Sequence, residues 1–72
     1  MMKAHEKIKF IRKSLGLTQQ EFAKKLDIKQ RTLSYLESGR YNITYNFLEK
    51  MVKNYSVNID WFFNNRGNMF VI

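Results

Sequence analysis

Gln30, Arg31, Ser34, Tyr35 and Ser38 recur at spacings that a helix fans across one face, while Leu33 and Leu36 share the opposite one. The outward set offers a forked guanidinium, an amide and hydroxyls with almost no apolar bulk. Its chemistry is hydrogen bonding to a patterned polar surface, with no bond to make or break. Nothing else in the chain builds a catalytic set. With one His, no Cys and scattered acids, the sequence yields no Ser-His-Asp arrangement, carboxylate pair, metal cluster or Gly-rich phosphate loop. The expectation is therefore no enzyme, no cofactor, no bound metal and no small-molecule ligand.

These residues lie in the second half of Gln19 to Leu36, QQEFAKKLDIKQRTLSYL, which reads as two short helices joined by a tight turn. Thr18 and Glu21 have the spacing of a capping box, so the first of the pair starts at Gln19. Phe22, Ala23 and Leu26 form its buried face, and the small Ala23 permits close backbone approach at a steep crossing. Asp27 occupies the turn, where positive φ is required, and Ile28 follows as an apolar plug. The second of the pair runs from about Gln30 to Ser38 and stops at Gly39.

The flanking segments read as packing for this pair. Before it, Ile8, Ile11 and Leu15 make the stripe of an amphipathic helix whose other faces hold Lys7, Lys9, Arg12 and Lys13, with Phe10 off the stripe. Gly16 followed by Leu17 has the form of a Schellman ending. After it comes a polar loop, Arg40 to Thr44, then a helix capped by Thr44 and carrying Phe47, Leu48, Met51, Val52 and Tyr55. Asn58, with Asp60 in the first turn, caps a short last helix rich in Ile59, Trp61, Phe62 and Phe63. The expected fold is all-α with five helices, in one domain spanning 1–72, with its core over about 5–65 and an apolar tail over 66–72.

The chain has 72 residues, 44% of them hydrophobic, enough for one small core that removes about 60% of the unfolded surface from water. No segment approaches the ~20 apolar residues that span a bilayer, so no membrane partner is expected. Absent Cys suits a reducing, cytoplasmic setting. Thirteen Lys and Arg against six acids give +7, which favours a polyanion such as nucleic acid. Lys24, Lys25, Lys50 and Lys53 read individually as solvated charges contributing only to that summed field.

In the spacing Gln19, Phe22, Ala23, Leu26, Ile28, Leu33, Leu36, in LGLTQQEFAKKL followed by LESGR, and in VNIDWFFNNRGNMF, the chain resembles the lambda-repressor-like, XRE-type helix-turn-helix family of phage repressors and Cro proteins. The resemblance covers about residues 8 to 70 and implies a bacterial or phage transcriptional regulator, a repressor, that binds double-stranded DNA at the nucleoid. It implies that Gln30, Arg31 and Tyr35 face base edges, with Ser34 beside them, and that Gln19 grips a phosphate. Thr32 and Ser34 are implied nearer the groove wall, and Arg40, Tyr41, Asn42, Thr44 and Asn46 along the second backbone, while Lys29, where the sequence departs from the family, offers its ammonium to a phosphate. Arg12 and Glu37 match an internal salt bridge between first and third helices.

The sequence departs from the family in three places. Asp27 replaces the usual turn Gly, Lys29 stands where Ser or Thr commonly caps the third helix, and the loop after Gly39 is one residue longer and poorer in basic residues. At the C-terminal end Trp61 reads as core, with a place in a dimer patch as the alternative, and Phe63, Met69, Phe70, Val71 and Ile72 exceed what so small a core obviously absorbs. They read as core, as a patch forming a homodimer on DNA, or as the junction to the rest of a longer regulator of which this is the N-terminal part. The rival function is a protein-interaction module of the same fold, an antitoxin or adaptor, working through that apolar patch.

Overall fold

The computed structural model describes residues 2–71. Its order is α1 (Ala4–Ser14), α2 (Gln19–Lys25), α3 (Gln30–Glu37), α4 (Tyr45–Tyr55) and α5 (Ile59–Asn64). Local signals set the boundaries. The Thr18 hydroxyl accepts from Glu21 N–H at 3.1 Å while the Glu21 carboxylate accepts from Thr18 N–H at 2.9 Å, closing the capping box. Thr44 and Asn58 accept from Phe47 N–H and Asp60 N–H in the same manner.

The first three helices share one way of ending. Gly16, Asp27 and Gly39 adopt φ of 72°, 56° and 83°, and the next residue's N–H returns to a carbonyl five back: Leu17 to Arg12, Ile28 to Ala23, Arg40 to Tyr35. Asp27 thus supplies the left-handed turn conformation that the family gives to Gly, at a modest steric cost. α3 is one residue shorter than expected, with Ser38 as its cap.

α3 packs on both α1 and α2, and α5 packs on α1. The core joins Ile8, Ile11, Phe22, Ala23, Leu26, Leu33 and Leu36 with Phe47, Met51, Val57 and Phe62, so every helix contributes. Leu15 is a correction: the helix ends before it and the side chain is exposed. Lys7 is another. Expected on a solvated face, it is buried, because its ammonium donates to Phe62 O at 2.7 Å and to Trp61 O at 3.4 Å in the last turns of α5.

The packed region also extends past residue 65. An antiparallel bridge joins Val57 to Phe70, with Asn58 N–H donating to Met69 O and Val71 N–H to Ser56 O, both at 2.8 Å. Met69 and Phe70 therefore lie against the core. No helix among the described residues is long and apolar enough to cross a membrane.

Candidate nucleic-acid interface

The outward face of α3 is held by an ionic joint behind it. Arg12 Nε donates to Glu37 at 2.7 Å, its Nη2 donates to the other carboxylate oxygen at 3.2 Å, and its Nη1 donates to Leu17 O at 2.9 Å. Both partners are buried. A fork on a carboxylate fixes orientation as well as distance, so α3 cannot roll on α1 without breaking the pair. Gln19 joins it, donating its amide to Glu37 at 3.0 Å, which ties the start of α2 to the same node. The side chain is half-buried.

Gln30 and Arg31 stand on the opposite side, exposed, and neither side chain has a hydrogen-bond partner among the described residues. Ser34 and Thr32 are half-buried beside them. Lys29 caps α3 through its backbone alone, leaving first-turn amides without a side-chain acceptor. Tyr35 differs from the expected free outward ring. The Arg40 guanidinium lies 5.1 Å over its face and Tyr41 meets it edge-on at 4.9 Å, while Tyr35 O accepts from the N–H groups of both Arg40 and Tyr41. The stack arises because the chain doubles back at Gly39 and lays the loop against α3.

Beyond this stack a hollow of about 160 Å³ runs between Thr32, Tyr41, Asn42, Thr44, Asn46 and Lys50. Arg40, Tyr41, Asn42, Thr44 and Asn46 are all exposed there. Lys50, which the sequence presents as one solvated charge among several, is half-buried at the edge of this hollow, one helical turn from Asn46. That four-residue spacing to Asn46 is the sequence signal that points to it. The surface thus offers polar side chains on α3 and others from the loop to the start of α4.

The C-terminal residues divide. Trp61 is half-buried, with Phe10 stacked on it at 6.4 Å and the Lys7 ammonium 5.4 Å from its centroid. Met69 and Phe70 pack inward, and Phe63 alone of the four stays exposed, at 56%. Val71 is exposed, and Ile72 lies outside the described residues. Phe63 joins an apolar groove of about 420 Å³ with Tyr45, Leu48, Val52 and Ile59, on α4 and α5 rather than on the tail.

Together, five helices among the described residues, a tight left-handed turn between α2 and α3, and an exposed polar α3 keyed from behind define a lambda-repressor-like helix-turn-helix domain. The chain belongs to the helix-turn-helix family, whose model matches residues 8–62. It is similar to two proteins of Archaeoglobus fulgidus, each described as an uncharacterized HTH-type transcriptional regulator. One is 32% identical over 54 residues, covering 75% of this chain and 77% of the relative. The other is 30% identical over 54 residues, covering 75% and 76%. No solved structure matches the chain.

Proposed function

We propose that this protein is a DNA-binding transcriptional regulator which inserts α3 into the major groove of a specific double-stranded site, binds as a homodimer and represses by occupying that site. The observation that carries this reading is the contrast across α3. Its inner side is fixed by Leu33, Leu36 and the buried Arg12–Glu37 pair, and its outer side holds Gln30 and Arg31 with every side-chain donor unengaged. A rigid helix with unsatisfied forked donors matches the paired acceptors on a base edge. The relatives' description as transcriptional regulators and a net charge of +7 support the same partner. The bound form belongs at the nucleoid.

Selection of bound sites from random DNA, followed by affinity measurements, tests this. Arg31→Ala is expected to lose about 1–3 kcal/mol on the selected site and to relax preference at one base position. Gln30→Ala acts similarly at a neighbouring position. Gln19→Ala weakens all sequences alike, with the salt slope nearly unchanged because the amide is neutral. Unchanged affinity of Arg31→Ala for both selected and scrambled DNA would overturn the assignment. The apolar α4–α5 groove would then favour a protein-interaction module of the same fold.

A further inference from the structure

Arg12, Lys7 and Lys50 are drawn partly or wholly out of water, while every other lysine and arginine is exposed. Two of the three are matched where they lie: Arg12 by Glu37, and Lys7 by carbonyls of α5. Lys50 is not. Its ammonium has no hydrogen-bond, ion-pair or ring partner among the described residues. The side chain borders the hollow of about 160 Å³ between α3 and α4, where the buried Leu36 and Phe47 with the half-buried Ile28 make an apolar floor. Thr32, Asn42 and Asn46 stand around it, and no acid does. Elsewhere acids are present: Glu49 in the groove on α4 and α5, Glu6 and Glu37 in the hollow beside α1, Asp27 in the one at the α2–α3 turn. Charge complementarity therefore singles out the Lys50 hollow for an anion. Its volume is below the about 300 Å³ at which pockets begin to enclose a drug-sized ligand, so it suits one unit of a polyanion passing over it better than a free effector.

We propose that this hollow seats one sugar–phosphate unit of duplex DNA, with Lys50 giving its ammonium to the phosphate and the apolar floor receiving the carbons of the deoxyribose. This rests on the proposed function and deepens it by adding a DNA-binding residue. From Arg40 to Glu49 the chain has a single basic residue, Arg40, and that guanidinium lies over the ring of Tyr35. A backbone held beside α3 needs a counter-charge on this side, and Lys50 is the next cation along the chain. Thr32 borders the hollow and directly follows Arg31, so the seat adjoins the side chains proposed to read bases. A lysine whose methylene stem is packed while its ammonium stays free is aimed, whereas a fully solvated one only adds to the summed field.

Titrations of a labelled duplex over a range of salt concentrations test the seat, each variant first being shown to melt like the wild type. Lys50→Gln is expected to lower the salt slope by about one and to weaken selected and scrambled DNA alike, about fivefold near physiological ionic strength. Lys50→Met, which retains the stem, is expected to do the same, and Lys50→Arg to keep the wild-type slope. Lys53→Gln, at an exposed position on the same helix, is expected to leave the slope near that of the wild type. Neutral methylphosphonate linkages placed one at a time along the duplex locate the contact. One position is expected to weaken the wild type about fivefold and Lys50→Gln not at all. Equal losses from Lys50→Gln and Lys53→Gln overturn the seat, as do losses from Lys50→Gln that add to those of every methylphosphonate. If Arg31→Ala relaxes base preference while Lys50→Gln matches Lys53→Gln, the seat fails and the reading of bases by α3 stands. If Arg31→Ala changes nothing while Lys50→Gln still lowers the slope, the reading of bases fails and the seat stands. No binding to any duplex overturns both.

Discussion

Arg12 and Lys7 sit on the same helix and both are buried, yet Arg12 meets a carboxylate and Lys7 meets none. At the C-terminal end of α1, Arg12 is matched donor for acceptor by Glu37 and Leu17. Toward the N-terminal end, Lys7 is held by two carbonyls of α5 and by the faces of Trp61 and Phe62, at 5.4 and 5.9 Å. The first joint fixes the helix-turn-helix pair. The second attaches α5 through the negative end of its helix dipole, an attachment with no formal counter-charge. The proposed DNA-facing half is thus keyed by a two-point fork on a buried carboxylate. The α5 half is clamped by interactions that a different side chain can partly replace.

The greatest loss that separates the two is expected from Arg12→Ala, which leaves Glu37 buried without its partner and costs about 3 kcal/mol. Denaturant unfolding measures it, and a midpoint equal to wild type would show the pair to be dispensable. Lys7→Met keeps the apolar stem and removes only the carbonyl and ring contacts, so about 1 kcal/mol is expected. Hydrogen exchange separates the two joints further: Lys7→Met is expected to lower protection in α5 alone, and Arg12→Ala in α1, α2 and α3 together. Equal loss across all helices in both variants would show that the joints are not distinct.

One of these joints is visible in the sequence and the other is hidden, for a physical reason. Arg12 and Glu37 are complementary charges whose spacing matches a family pattern, so the pair is readable from residue types and positions alone. Lys7 binds backbone carbonyls of residues 61 and 62, which carry no side-chain signature, and helical periodicity assigns a lysine to water. Helix starts and stops are legible because Thr18, Thr44, Asn58, Gly16, Asp27 and Gly39 act within a few residues of themselves. The tail is not, because Met69 and Phe70 find their place through a bridge to Val57 that is set by the whole fold. On α3, counting turns is enough to place Gln30 and Arg31 outward. It does not place Tyr35 so fully, since its stack depends on how the loop after Gly39 returns.

Arg40 supplies a third, weaker case, an exposed cation held only by the face of Tyr35. Tyr35→Leu is expected to cost under about 1 kcal/mol of stability, the usual worth of an exposed cation–π contact. In DNA binding it is expected to act through Arg40. Arg40→Ala lowers the salt slope by about one, and Tyr35→Leu added to it changes the slope no further. Tyr35→Phe, which keeps the ring, should match wild type in slope. Additive losses in the double variant would make Tyr35 an independent contact and Arg40 a free one.

The mildest change belongs to a joint with no buried charge. The Glu21 carboxylate is held below its ordinary value of 4.5, first by the hydrogen bond from Thr18 N–H and then by the Thr18 side chain. Because its folded pKa is the lower one, the unfolded chain takes up the proton first on acidification. The contribution of the charged cap is therefore complete above the ordinary value and is lost as pH falls through the lowered one. Glu21→Gln retains an oxygen for Thr18 N–H but has no charge to lose. Its melting temperature is expected to lie slightly below wild type near pH 7 and to converge with it toward about pH 2. A gap that stays constant over that range would assign the cap's contribution to hydrogen bonding alone, and would leave Arg12–Glu37 as the ionic joint that matters to the helix-turn-helix pair.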